Sequence, residues 1–265
     1  MQNKANIFFL SNILLLVSIS DVALASHTTY IRNPLLDSRL YKIYSTGYFD
    51  FSLGHVFSQK IEDSYLYQKG FFPDFYFANH IKKTTLFSLS GGYLWKRPSV
   101  WFPYTSIGLE YSSTAQRTLT GLIADYSDLK EINHCYQYKI REQNLRLVTQ
   151  INTYYWHGWM PFIQLGVGTA WTKYNEYHEI VLLHLPSHHL DPQFPQKTIS
   201  SFAYHASFGI NYIINKNLWM GLSYRFDDFG KGQTGETRPD NYLKGHLTNY
   251  LQAHSVLFSL RYLFN

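Results

Sequence analysis

Residues 144–173 read NLRLVTQINTYYWHGWMPFIQLGVGTAWTK. Leu145, Leu147, Ile151 and Tyr155 alternate with Arg146, Gln150 and Asn152. After four residues, Ile163, Leu165, Val167 and Trp171 alternate with Gln164, Gly166, Gly168 and Ala170. A period of two marks β-strands with one apolar and one polar face. Each run is long for a globular strand, which more often has about five or six residues. It matches a tilted membrane-spanning strand of about ten. The connection between the runs, residues 156–159, carries a tryptophan at each end.

Six further segments follow the same scheme: residues 48–57, 85–95, 104–113, 202–213, 218–229 and 253–264. In the first, Phe49, Phe51, Leu53 and Phe57 oppose Asp50, Ser52 and Gly54; in the last, Val256, Phe258, Leu260, Tyr262 and Phe264 oppose Ser255, Ser259 and Arg261. The connections alternate in length. Residues 96–103, 156–159 and 214–217 are short, whereas 59–84, 114–143, 174–201 and 230–252 are long and polar. This order predicts an all-β fold: an eight-stranded antiparallel transmembrane up-and-down β-barrel with short periplasmic turns and four long extracellular loops. A soluble sandwich also alternates, but nothing in it collects every long loop at one end.

Composition agrees. The chain of 265 residues is 18% aromatic and only 15% charged, yet its mean hydropathy is −0.23. Helical membrane proteins are apolar overall, whereas a barrel keeps a polar inner face. No later stretch approaches a membrane-spanning helix. The net charge of +5 is scattered, with no basic run; nucleic acid is not expected, and anionic lipopolysaccharide and the other outer-membrane lipids are the natural partners. A single cysteine, Cys135, permits no internal disulfide.

At the start, Lys4 precedes the apolar run 7–20, and Ala23-Leu24-Ala25 offers a small-x-small site. Residues 1–25 are thus expected to be a signal peptide cleaved after Ala25. Residues 26–47 form a leader: a periplasmic segment, an extension of strand one or a piece tucked into the barrel. Residues 48–265 form the barrel domain.

Trp95, Trp101, Trp156, Trp159 and Trp219 stand at or beside short turns, with only Trp171 at the far end of its strand. With Tyr262 and Phe264 they are expected to form an aromatic girdle at the periplasmic interface, where an apolar ring with a polar edge is favoured.

Residues 221–230, GLSYRFDDFG, resemble the penultimate-strand pattern G-x-x-Y-R-[YF]-x-[DN]-[FL]-G of the OmpA/opacity-protein family of small outer-membrane β-barrels. Gly209 and Tyr212, and Gly166 and Gly168, fit the same manner. Residues 255–265 resemble the family's C-terminal sorting strand, with Phe264 as its aromatic residue. The resemblance covers residues 48–265. It implies an outer-membrane barrel handled by the barrel-assembly machinery, and implies no activity.

Inward faces place Asp50, Glu110, Arg146, Gln150, Gln164, His205, Arg225, Asp227 and Arg261 in the lumen. Eight strands leave an interior just wide enough to be filled by side chains, so the arginines are expected to bridge Asp50, Glu110 and Asp227. Structural packing is the plain outcome, and a narrow ion or solute channel the alternative. His178, His184, His188 and His189, near Glu176 and Glu179, raise a metal site, although Pro186, Pro192 and Pro195 interrupt them and no helical spacing holds two together. His55, His205, Ser207 and His254 raise a lipid-modifying enzyme, but no G-x-S-x-G accompanies them. No cofactor and no catalytic residue is therefore assigned. Tyr65, Tyr67, Phe71, Phe72, Phe75, Tyr76 and Phe77 in the first long loop suit either a host or matrix ligand or an upward extension of strand two. The expected role is a monomeric, surface-exposed structural or adhesin-like protein working through its long loops.

Overall fold

The computed structural model describes residues 29–31, 41–60, 64–66, 73–97, 99, 101–124, 128, 132–182, 194–236 and 245–264. The expected signal peptide lies outside these residues, as do His184, His188, His189, Tyr67, Phe71 and Phe72.

Twelve strands are found among the described residues: β1 (Thr29–Ile31), β2 (Tyr41–Lys60), β3 (Ser64–Leu66), β4 (Asp74–Ile81), β5 (Thr84–Lys96), β6 (Tyr104–Thr114), β7 (Arg117–Ala124), β8 (Ile132–Asn152), β9 (Trp159–Val181), β10 (Lys197–Ile213), β11 (Leu218–Gln233) and β12 (Thr248–Phe264). All pairings are antiparallel. Eight of the strands run in the order β8-β6-β5-β2-β12-β11-β10-β9, and β9 pairs back onto β8, closing the ring. Closure leaves the ring without a free edge, the condition for crossing lipid. Both ends of the ring meet at the short-turn end, where Gly47 of β2 pairs with Phe264 of β12. The first ring strand starts at Tyr41, inside the expected leader, and β1 pairs with its start.

The turn between β8 and β9 shows how sequence shapes the short-turn end. His157 and Gly158 both have positive φ, and Trp156 and Trp159 exchange backbone hydrogen bonds of 2.9 and 2.8 Å. Two left-handed central residues are the tight-hairpin signature.

Strand length is the main departure from expectation. β8 has 21 residues and β9 has 23, far more than one lipid crossing requires. The described parts of the four long connections do lie at the expected end, but much of them is strand. β7 continues β6 after a break at Ala115 and Gln116 and pairs with upper β8; β4 continues β5 and pairs with β7; β3 pairs with β4. Ser64 Oγ donates to Thr248 O (2.6 Å) and accepts from Thr248 N (3.1 Å), joining β3 to β12. The barrel therefore rises as a second storey beyond the ring.

The physical reason is a change of solvent. In lower β8 the outward residues are Leu145, Leu147 and Ile151, and the inward ones Asn144, Arg146 and Gln150. Above Gln143 the parity persists but the chemistry inverts. Gln137, Lys139 and Arg141 face out, while Tyr136, Tyr138 and Ile140 are buried inside. Lipid favours an apolar exterior, and water favours an apolar interior. The inversion thus marks the outer lipid boundary near Gln143 and, by register, near Trp171 of β9 and Ser113 of β6. Residues 143–152 below it supply ten residues, the span of one tilted crossing.

Close packing imposes glycine at several ring positions, Gly166 among them. A Cβ on Gly166 would lie 2.4 Å from the His205 ring, whereas one on Gly91 would find nothing nearer than 3.5 Å. Gly166→Val is expected to displace His205 and cost about 1–3 kcal/mol, the usual penalty of overpacking. Gly91→Ala is expected to leave the urea midpoint in lipid vesicles unchanged; equal midpoints for the two variants would contradict this packing.

Candidate functional site: a layered lumen and an extracellular wall

The interior has three layers. At the periplasmic end, Tyr48, Leu94, Met160, Trp219 and Leu263 form an apolar layer with Tyr104 and Ile213 against it. Trp219 is a correction to the expected girdle. It is 2% exposed and its ring meets Tyr104 edge-on at 5.1 Å. Nearness to a turn does not determine a side chain's face. Strand parity does, and it groups Trp219 with the inward-facing Gly221 and Arg225. The other expected girdle residues occupy the outer surface or the short-turn connections there. Trp101 is 70% exposed, Trp156, Trp159, Tyr262 and Phe264 are exposed, and Trp95 is half-buried.

The middle layer is charged. Arg261 Nε donates to Asp50 Oδ2 (2.9 Å) and its Nη2 to Gln150 Oε1 (2.7 Å). Arg225 Nε donates to Asp227 Oδ1 (2.9 Å), and its Nη2 lies 2.8 Å from Glu110 Oε1. Arg146 Nη1 donates to Asp227 Oδ1 (2.5 Å) and lies 3.1 Å from His205 Nδ1. Gln164, half-buried, accepts from Ser207 Oγ at 3.2 Å. Three arginines thus face three carboxylates, and the named ions sum to zero. Charge balance is what makes their removal from water tolerable, since an unpaired buried charge costs several kcal/mol. Cation–π contacts of Arg261 with Tyr48 (4.6 Å) and of Arg146 with Phe229 (5.7 Å) tie this layer to those below and above.

The upper layer is apolar again. Tyr76, Tyr138, Tyr174, Leu119, Ile140 and Phe229 belong to one buried cluster inside the extracellular storey. Between charge and cluster sits a pair the sequence reading missed: Glu142 accepts from Arg117 and from Thr114, all three buried. The signal was present, because Glu142 keeps the inward parity of Asn144 and Arg146. It is hidden when β8 is started at residue 144.

Burial pushes the hydroxyls of Tyr76, Tyr138 and Tyr174 up. These tyrosines stay protonated when folded, whereas an unfolded tyrosine ionises near pH 10. Their stabilising contribution is therefore complete below about pH 10 and lost as the pH rises further. A late fraction of tyrosinate absorbance is expected to appear together with protease cleavage within residues 117–140. Titration of all tyrosines in one step, with no cleavage, would contradict the buried cluster.

Other candidates do not converge. His178 is exposed on β9 beside Gln137, and Glu176 and Glu179 belong to the same strand, not to an irregular loop. No group of three metal-ligating side chains occurs among the described residues. Ser207 and His205 point into the lumen with different partners. His254 contacts Tyr224 on the outside, and His55 is exposed.

On the outer face of the extracellular wall, Tyr65, Phe75 and Phe77 form a contiguous aromatic group with ring centroids 4.5 and 4.3 Å apart. Register carries it across the sheet, from Phe77 to Leu122, Cys135 and Ile180. Tyr76, between them in sequence, points inward and is buried.

A closed ring with an apolar outer belt, a balanced polar interior and all long connections at one end defines a transmembrane β-barrel of the outer membrane. No protein-family model matches the chain, and no curated protein matches it. Among solved structures it is similar to the outer membrane protein OprG of Pseudomonas aeruginosa, at 12% identity over 83% of this chain and 96% of that one, with a TM-score of 0.50. It is also similar to Neisserial surface protein A, at 11% identity over 82% and 97% with a TM-score of 0.42. The outer membrane protease OmpT of Escherichia coli matches at 12% identity over 83% and 97%, with a TM-score of 0.44. The fold is that of the small outer-membrane β-barrels.

Proposed function

We propose that the chain is an exported, monomeric surface protein, cleaved after Ala25 and inserted by the barrel-assembly machinery, whose extracellular wall is its working part. In this reading the ring is scaffold and the wall is adhesin-like, presenting a binding face to a host or matrix ligand. The observation that carries it is the row from Tyr65 and Phe75 through Phe77 and Leu122 to Ile180. Tyr65 is 53% exposed and Ile180 46%, and the row stands on the water side of the lipid boundary. Contiguous apolar surface held in water marks a binding site, and a β-wall with its own core presents it rigidly. The two apolar layers around a neutral charged layer favour a closed lumen over a conducting one.

Cells displaying the full chain are expected to adhere to immobilised matrix protein, and the Tyr65→Ser/Phe75→Ser/Phe77→Ser variant to lose about tenfold or more of that binding, as for hot-spot aromatics. Undiminished adhesion by a variant that reaches the surface would overturn the reading. Stepwise current from the purified protein in a planar bilayer would favour the channel instead.

A further inference from the structure

The outer lipid boundary carries a one-sided cluster of cations. Below it on β8 and β9, Leu145 and Val167 face lipid. At the boundary Gln143 pairs with Trp171, and one outward position higher Arg141 pairs with Lys173. One position higher again stands Lys139, flanked by Lys82 and Lys83 at the joint of β4 and β5, where Lys82 N donates to Thr118 O (3.1 Å) and Thr118 pairs with Lys139. Directly opposed residues have Cβ atoms about 5 Å apart, and like charges so placed repel. Among the described residues one of these cations is neutralised: Lys139 forms an ion pair with Glu176. Arg141 has a single long hydrogen bond, from Nη2 to Ser113 Oγ at 3.4 Å, and Lys173 makes no ion pair among the described residues. Elsewhere on the ring, between β11 and β12, the outward Asp228 accepts from Gln252 (2.9 Å), so the outer face does not carry cations alone.

We infer that Arg141 and Lys173, with Lys82 above them, bind the phosphate groups of a phosphorylated glycolipid in the outer leaflet. A dianionic phosphate between Arg141 and Lys173 turns their repulsion into two charge-assisted contacts. The lipid source follows from place: the pair sits one side-chain step above the Trp171 ring, two above Leu145 and three above Val167, so a headgroup meets the cations while its acyl chains meet Leu145 and Val167. This inference rests on the position of the lipid boundary and not on the proposed binding role of the wall.

The test is a titration of the full-length protein in phosphatidylcholine vesicles with dansyl-labelled diphosphoryl lipid A, read as energy transfer from tryptophan. Each juxtamembrane cation contributes about fivefold in affinity, so Arg141→Ser/Lys173→Ser is expected to weaken binding about 30-fold. Lys96→Ser/Arg97→Ser, at the periplasmic end, is expected to leave it unchanged. Retention of the gel-mobility difference between boiled and unboiled samples establishes that each variant is folded. Three results would overturn the inference: undiminished binding by the folded Arg141→Ser/Lys173→Ser variant, equal binding of dephosphorylated lipid A, or mole-for-mole competition by inorganic phosphate, which would assign the cations to a free anion.

Discussion

Replacing Asp227 by alanine is expected to destabilise the barrel by about 3–5 kcal/mol, the cost of breaking a buried ion pair from one side. Asp227 is the carboxylate on which two arginines converge, at 2.5 Å from Arg146 and 2.9 Å from Arg225. Without it Glu110 faces both guanidiniums, and the layer carries one uncompensated positive charge. Asp227→Asn keeps an acceptor but not the charge and is expected to fall between wild type and alanine. Urea unfolding from lipid vesicles measures this directly. A loss below about 1 kcal/mol, the level of an exposed pair, would mean that water reaches the network and that the apolar layers do not seal it.

The second large effect belongs to the lipid face. Leu147 points outward midway along the crossing and is 48% exposed on the isolated chain. Leu147→Arg is expected to cost about 2–4 kcal/mol, as for an arginine at the bilayer midplane of a barrel. Gln137→Arg, on the same strand and the same outward parity but above the boundary, is expected to change the unfolding free energy by less than about 0.5 kcal/mol, as ordinary surface substitutions do. The contrast between the two isolates the solvent outside from the packing inside.

Much of this architecture is legible in the amino-acid order. The eight ring strands, the short turns and the inward placement of Asp50, Glu110, Arg146, Arg225, Asp227 and Arg261 follow from period-two alternation and loop lengths, because lipid leaves no other way to satisfy backbone and charge. The extracellular storey is harder to read. Residues 132–142 still alternate, but with polar residues outward and tyrosines inward, so the same period carries the opposite chemistry and resembles a polar loop. β7 is concealed for a second reason: Ala115 and Gln116 interrupt it from β6, and Gly121, over which the Tyr136 ring packs, weakens its strand signature. Trp219 shows that proximity to a turn is a poorer guide than parity. The pairing of Arg117 with Glu142 depends on β7 lying beside β8, a non-local fact that no local pattern contains.

The inversion at Gln143 fixes where lipid ends on the barrel wall. It is tested most directly by spin labels placed singly at the outward β8 positions 137, 139, 141, 143, 145, 147, 149 and 151, with Cys135→Ser as background, in lipid vesicles. The predicted result is high accessibility to a water-soluble nickel reagent from 137 to 141, a crossover at 143, and high accessibility to oxygen from 145 to 151. Nickel accessibility throughout, or a crossover displaced by a full turn of loop to residues 151–156, would contradict a lipid boundary at Gln143 and the two-storey barrel built on it.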